Sequence, residues 1–288
     1  AHGDGDEVTA TLCGVTASAP ATGGVGSVRL VIDDPVLWWP TGLGAQALHD
    51  LTVTMGQARA QRRIGLRDLQ LVAEPDAAGR SFGFTVNGHP VFARGANWIP
   101  ADALAGRITP DMVRGLLQSA VDAHMNMIRV WGGGRYEPDW FYDLCDEMGL
   151  MIWQDVMLSC HLYPSTPDFL AEIDAEVREN VARLNHHACL ALWCGDNELI
   201  GALTWYPESR KDRDLYSKTT IASTAGTQSA GTQTGSTATS GQAIPVIEEQ
   251  LQVGKRMVQK GGVRIYSHIT EKPVQESVQL REEHVKVE

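Results

Sequence analysis

The chain has 288 residues, 43% of them hydrophobic, and a formal net charge of −11, which is room enough for a sizeable core and for one to three domains. The acidic surplus argues against a nucleic-acid partner, because phosphate-backbone binding needs a basic stripe. No apolar run approaches the roughly 20 residues of a bilayer span, so no membrane partner is expected.

Ala1–Asp6 offers neither the basic n-region nor the apolar h-region of a secretory leader. The five cysteines, Cys13, Cys145, Cys160, Cys189 and Cys194, lack a paired spacing and read as buried thiols rather than a disulfide framework, which favours a reducing compartment. Charge divides the chain in three. Residues 1–216 hold 16 Lys and Arg against 28 Asp and Glu, residues 217–242 hold one Lys and no acid, and residues 243–288 hold seven of each sign.

In chain order, residues 1–75 show short alternating runs. Ser27-Val28-Arg29-Leu30-Val31-Ile32 and Leu51-Thr52-Val53-Thr54-Met55 are separated by turn signals such as Trp39-Pro40-Thr41-Gly42, the pattern of a small β-sandwich. Asn87-Gly88-His89-Pro90 then predicts a hairpin turn between Phe82–Val86 and Val91–Gly95. From there strands alternate with helices. Val91–Ala96 precedes a helix near Thr109–His124, and Asn126–Trp131 precedes one near Pro138–Met148. Leu150–Asp155 precedes a longer amphipathic helix near Pro167–Asn185, and then comes the strand-like run Leu190–Glu198, which ends on Asn197-Glu198. Four such steps predict a parallel sheet covered by helices, the pattern of a (β/α)₈ TIM-type barrel over residues 76–216.

Each strand ends in polar or aromatic groups: Asn97-Trp98, Arg129 with Trp131, Gln154-Asp155, and Asn197-Glu198. In a barrel these ends share one face and one site. A glycosidic bond is hydrolysed between an acid that protonates the leaving oxygen and a second carboxylate on the opposite face. Trp98 and Trp131 can stack on a sugar, or serve as core aromatics. Arg129, Asp155 and Asn197 can bind hydroxyls; equally, Arg129 can pair with a neighbouring carboxylate and Asp155 can cap the next helix. No cofactor is expected. There is no Gly-x-x-x-x-Gly-Lys loop, and Gly132-Gly133-Gly134 has no dinucleotide-binding spacing. Nor is a metal expected, since His186-His187 with Cys189 and Cys194 fits no zinc pattern and reads as a helix-to-strand loop with buried thiols. Glu137, Asp146 and Glu147 read as solvated helix faces or caps.

Several motifs carry a resemblance. Phe92-Ala93-Arg94-Gly95-Ala96-Asn97-Trp98-Ile99-Pro100-Ala101-Asp102, Asn126–Gly134, Asp143-Leu144-Cys145-Asp146-Glu147 and Trp193-Cys194-Gly195-Asp196-Asn197-Glu198 resemble the β-mannosidases of glycoside hydrolase family 2. Leu37-Trp38-Trp39-Pro40 and Arg63-Ile64-Gly65-Leu66-Arg67 resemble the immunoglobulin-like sandwich that precedes the barrel in that family. The resemblance implies retaining hydrolysis of terminal non-reducing β-mannose residues, with Glu198 matching the acid/base and Asn197 the adjacent sugar-binding amide. Asp196 departs from the pattern, since many relatives carry Asn there.

The likeness stops near Tyr216, after about four strands. A full barrel takes about 250 residues, the matched segment fills about 130 between Val86 and Ser217, and no later stretch resembles the one that delivers the nucleophile. The expectation is a partial sandwich (residues 1–75) and the first half of a barrel (76–216), catalytically incomplete alone.

Residues 217–242, almost wholly Ser, Thr, Gly, Ala and Gln, predict a disordered linker. Ile244–Arg256 and Val278–Glu288 alternate apolar and charged residues, which predicts a small antiparallel β module over 243–288. That segment is similar to the domain of unknown function in YsnF/AvaK-type bacterial stress proteins, which points to a bacterial cytoplasm. The alternative readings are a non-enzymatic stress or interaction protein defined by that C-terminal domain, or a chimeric chain. Oligomeric state is left open.

Overall fold

The computed structural model describes residues 5–77 and 79–205. The expected linker at 217–242 and β module at 243–288 lie outside the described residues.

Alternation shapes the first sheet. In β1 (Glu7–Leu12) Val8, Ala10 and Leu12 are buried. The chain then reverses at Cys13-Gly14, both left-handed (φ 51° and 78°) as a two-residue hairpin turn requires, into β2 (Val15–Thr22). With β3 (Val25–Gly26), β4 (His49–Met55) and β5 (Ala58–Ile64) they form an antiparallel sheet in the order β3-β2-β1-β4-β5. The strand expected at Ser27–Ile32 is not formed. Exposure alternates along it, but among the described residues no neighbouring strand takes up its ladder, and period two alone does not make a strand.

β6 (Leu69–Val72) belongs to a second sheet. The segment Ala73–Phe82 falls in a separate compact unit; within it β7 (Pro75–Asp76) pairs with β8 (Gly79–Arg80), and Ser81 N–H donates to the Glu74 carbonyl at 2.8 Å. β9 (Gly83–Val86) and β10 (His89–Val91) follow, and the second sheet runs β10-β9-β6. The predicted hairpin turn is present, with Asn87 and Gly88 left-handed at φ 51° and 78°.

Four parallel strands come next: β11 (Gly95–Trp98), β12 (Met127–Val130), β13 (Met151–Asp155) and β14 (Leu190–Cys194), adjacent in that order. They alternate with α1 (Pro110–Asp122), α2 (Asp139–Met148), α3 (Pro167–Leu184) and α4 (Leu199–Trp205). A parallel sheet in sequence order with helical crossovers is the arrangement of a partial TIM barrel. The helix limits follow local chemistry. Thr109 Oγ1 accepts from Met112 N–H ahead of Pro110, a capping serine- or threonine-type start with proline in the first turn. Gly149 ends α2 in the left-handed region at φ 72°.

The run expected as one strand, Val91–Ala96, is divided between two sheets: β10 ends at Val91 and β11 begins at Gly95. Asn126 fixes the crossing, accepting from Arg94 N–H at 2.8 Å and donating to the Phe92 carbonyl at 3.1 Å. A side chain at Gly95 would strike the Met127 carbonyl, its Cβ only 1.8 Å away.

The main core joins Trp38, Phe84, Val86 and Val91 to Ile128, Val130, Leu150 and Ile152, each fully buried Leu or Ile contributing roughly 1.5–3 kcal/mol. Trp38 donates its indole N–H to the Asp146 carbonyl at 2.8 Å, and Arg67 donates to the carbonyls of Ala188 and Leu190 at 2.7 and 2.6 Å. Two readings of acidic residues are corrected here. Glu137 and Asp146, expected as solvated faces or caps, are 1% and 2% exposed; each has found partners that permit burial. Glu137 receives the Trp98 indole and Arg135, while Asp146 receives His187 and the Cys189 N–H.

Candidate active site

Because β11 to β14 run parallel, their C-terminal ends share one edge of the sheet. Arg129, on β12, reaches along that edge. Its Nε and Nη2 donate to Oδ1 and Oδ2 of Asp155 at 3.2 and 2.7 Å, and Nη2 also donates to Oδ1 of Asn197 at 2.6 Å. The guanidinium lies 5.6 Å over the Trp153 ring, a favourable cation–π placement. One cation thereby links the ends of three strands.

Asp155, the last residue of β13, is wholly buried. It accepts from Gly132 N–H and Trp153 Nε1–H, both at 3.0 Å, besides Arg129. Burial pushes its carboxyl above the usual range, and the Arg129 guanidinium and these donors oppose that rise. It does not cap the next helix, since α3 begins after Thr166; it pairs with Arg129, as one of the two readings of that arginine expected.

After β14 the chain bends at Gly195-Asp196. Asp196 Oδ1 accepts from Leu199 N–H at 3.2 Å, opening α4, and burial raises its carboxyl too. Asn197 is buried; its Nδ2 donates to Cys160 Sγ at 3.0 Å and to Ser159 Oγ at 3.4 Å. Glu198 is exposed and left-handed at φ 63°, with Oε2 accepting from Cys160 Sγ at 3.4 Å. The backbone of the segment after β13 is tied to the same place, with Asn197 N–H donating to Leu158 O at 2.9 Å and Cys160 N–H to Asn197 O at 2.8 Å. Cys194, just before the bend, is pushed up to about 12 by burial.

Arg129, Asp155, Asn197 and Glu198 thus form one connected group. The two tryptophans are placed differently. Trp98 is 9% exposed, packs against Phe141 with the rings tilted at 52° and 5.1 Å apart, and spends its indole N–H on Glu137 at 3.0 Å. Trp131 is half-buried and lies over Gly133, where a Cβ would come within 2.0 Å of the ring. Ser159 carries no signal in the sequence, and Cys160, expected as a buried thiol, is only partly buried, while Cys13, expected likewise, is exposed. Ser159 and Cys160 lie four and five residues past the strand end at Asp155, but nothing in the sequence shows that this loop folds against Asn197.

Among the described residues one group has metal-ligand chemistry: Asp146, His187 and Cys189, with ligand atoms within 4.8 Å of one another. Its carboxylate is already committed on both oxygens, Oδ2 to His187 Nδ1 and Oδ1 to Cys189 N–H, each at 2.7 Å. Burial holds the Cys189 thiol well above its ordinary range, opposite to what a thiolate ligand needs. No helix among the described residues is long and apolar enough to cross a membrane.

Comparison with known proteins bears on the same residues. β-Mannosidase of Capra hircus is 49% identical over 178 residues, covering 59% of this chain and 20% of that protein. β-Mannosidase B of Emericella nidulans is 41% identical over 185 residues, covering 62% of this chain and 22% of that protein. The crystal structure of β-D-mannosidase from Dictyoglomus thermophilum superposes with a TM-score of 0.62 at 39% identity, over 67% of this chain and 25% of that one. Residues 244–288 match the family described as a domain of unknown function, DUF2382. The chain therefore spans a fifth to a quarter of the length of the relatives it matches. It is similar to part of a glycoside hydrolase, joined to a DUF2382 domain, and of the two functional readings the non-enzymatic alternative is not favoured.

Proposed function

We propose that residues 76–216 are the first half of a (β/α)₈ barrel of β-mannosidase type, carrying the acid/base half of a retaining site for terminal non-reducing β-mannose residues. Residues 1–75 would form part of an immunoglobulin-like sandwich, 217–242 a linker, and 243–288 the small β module. The observation that carries the reading is the Arg129–Asp155–Asn197–Glu198 group at the shared strand ends, in a segment similar to β-mannosidases at 41–49% identity.

Glu198 has the position an acid/base requires. It stands exposed at the mouth of the sheet, where it can protonate a leaving oxygen and then draw a proton from water. Asn197, held by Arg129 and Cys160, offers a fixed amide beside it, and Trp131 offers a ring to the sugar face. Retention needs a second carboxylate about 5–5.5 Å from the first. The two acids connected to this group are already spent, Asp155 on Arg129 and Asp196 on the start of α4. Among the described residues this group therefore offers no free second carboxylate, and the chain alone is expected to bind a mannose-configured ligand without turning over β-mannosides.

The test is a chromogenic β-mannoside release assay beside calorimetric titration with a mannose-configured ligand, on the full chain and on Glu198→Gln. Binding without release, weakened in Glu198→Gln, supports the half-site. Release abolished in Glu198→Gln would make the chain a complete hydrolase and overturn the proposed incompleteness. Neither binding nor release would overturn the sugar-site reading.

A further inference from the structure

We propose that Cys160 is a positioning residue for the Asn197–Glu198 pair, a role that rests on the reading of Glu198 as the acid/base. Its thiol lies among three polar groups: Asn197 Nδ2 at 3.0 Å, Ser159 Oγ at 3.3 Å and Glu198 Oε2 at 3.4 Å. The proton can be placed by inventory. An amide NH₂ only donates, and a serine hydroxyl can donate, so sulfur accepts from both; Glu198 Oε2 stands as the acceptor, so the single S–H proton goes to it. Sulfur therefore relays a hydrogen-bond chain from Asn197 to Glu198, and through Asn197 to Arg129 and Asp155.

The backbone makes this arrangement independent of the thiol itself. Cys160 N–H donates to Asn197 O, Asn197 N–H donates to Leu158 O, and Ser159 bridges Asn197 in parallel register. Both Cys160 and Glu198 are left-handed, at φ 50° and 63°. The loop after β13 is thus fastened beside the loop after β14 by its main chain, and the side chain of Cys160 is free to act on what lies opposite. What lies opposite is an exposed glutamate, a side chain with rotamer freedom to lose when it is held. The loop that follows β13, rather than the strand that delivers Glu198, sets where the carboxylate points.

The experiment uses the full chain as wild type, Cys160→Ala and Cys160→Ser. Two readouts are taken: the ¹H–¹⁵N resonances of the Asn197 side-chain amide, and the affinity for a mannose-configured iminosugar that is cationic at the working pH. A weak sulfur donor and acceptor lost from a preorganised group is expected to cost about three- to fivefold in affinity. Cys160→Ala should show that loss and a shifted Asn197 amide at an unchanged melting temperature. Cys160→Ser, which keeps a donor and an acceptor, should return affinity to within about twofold. A melting temperature that falls in step with affinity, without rescue by serine, would reduce Cys160 to a packing role and overturn the proposal. So would unchanged affinity and an unmoved Asn197 amide in Cys160→Ala. If the wild type binds no iminosugar, the sugar-site reading fails on its own, and the amide resonance still decides the link: moved by alanine and restored by serine supports it, unmoved overturns it. Should the alanine variant not fold, Cys160→Gly, which suits the left-handed backbone at φ 50°, takes its place, with the Asn197 amide moved if sulfur is its partner and unmoved if it is not.

Discussion

Asp155 and Asp146 are both buried acids drawn from strand-end or helix-end sequence, and each collects a basic side chain and a backbone N–H. Asp155 takes Arg129 and Gly132; Asp146 takes His187 and Cys189. Their surroundings part company one step further out. The Asp155 group continues through Arg129 and Asn197 to the exposed carboxylate of Glu198. The Asp146 group stops in the core, beneath Trp38 and beside the buried thiols of Cys145 and Cys189. A satisfied buried carboxylate is thus the same device in both places, used once inside the core and once to hold the group at the strand ends, and only the exit to solvent separates the two uses.

Substitutions can break that contrast. The largest effect is expected from Asp146→Ala, which leaves a buried imidazole and the Cys189 N–H without their acceptor; a loss of about 3–5 kcal/mol is expected by urea unfolding, with the site residues untouched. Arg129→Met should come next, at about 2–4 kcal/mol, because it strands the Asp155 carboxylate in the core. Unlike Asp146→Ala it should also weaken binding of a mannose-configured ligand, since Asn197 loses its anchor. Equal effects of both variants on binding would dissolve the distinction. Glu198→Gln should change stability by less than about 0.5 kcal/mol, as an exposed position does, while affecting binding. A large stability loss there would mean that Glu198 is a structural acid after all.

The smallest effect tests pH. Burial raises Asp196 above its ordinary 3.8, so the folded state holds that proton more tightly than the unfolded state. Stability from this group is present below pH 3.8 and is lost as pH rises through the raised folded value. Asp196→Asn should remove that decline and leave the protein a few tenths of a kcal/mol more stable at neutral pH, since Asn serves equally well at a helix start. A pH–stability curve that superposes on the wild type would refute it.

Local periodicity carried most of the architecture. The first three α-helices begin and end within two residues of where Thr109, Pro138, Pro167 and the following apolar patterns predict, because capping and amphipathicity are short-range properties. Ser27–Ile32 failed because a strand also needs a neighbour, and Val91–Ala96 was cut in two because Asn126, some thirty residues later, holds its middle. The same distance hid the roles of acids. Glu137 looked solvated until Trp98 reached it, and Asp146 until His187 did. The connected group at the strand ends was legible as a set of residues; that Cys160 belongs to it was not, since the contact spans two loops.

Glu198 stands in a backbone conformation that side chains of its kind seldom take, at a cost of roughly 1–2 kcal/mol. A glycine there would sit without that cost, so the position is a poor choice by the standard of folding alone. The local turn acts as a lever: it lifts the residue out of the sheet edge at the point where β14 gives way to α4, within reach of the Cys160 thiol that then holds the carboxylate. Any attempt to stabilise this chain by placing glycine at its left-handed positions would reach Glu198 as well, and would remove its carboxylate.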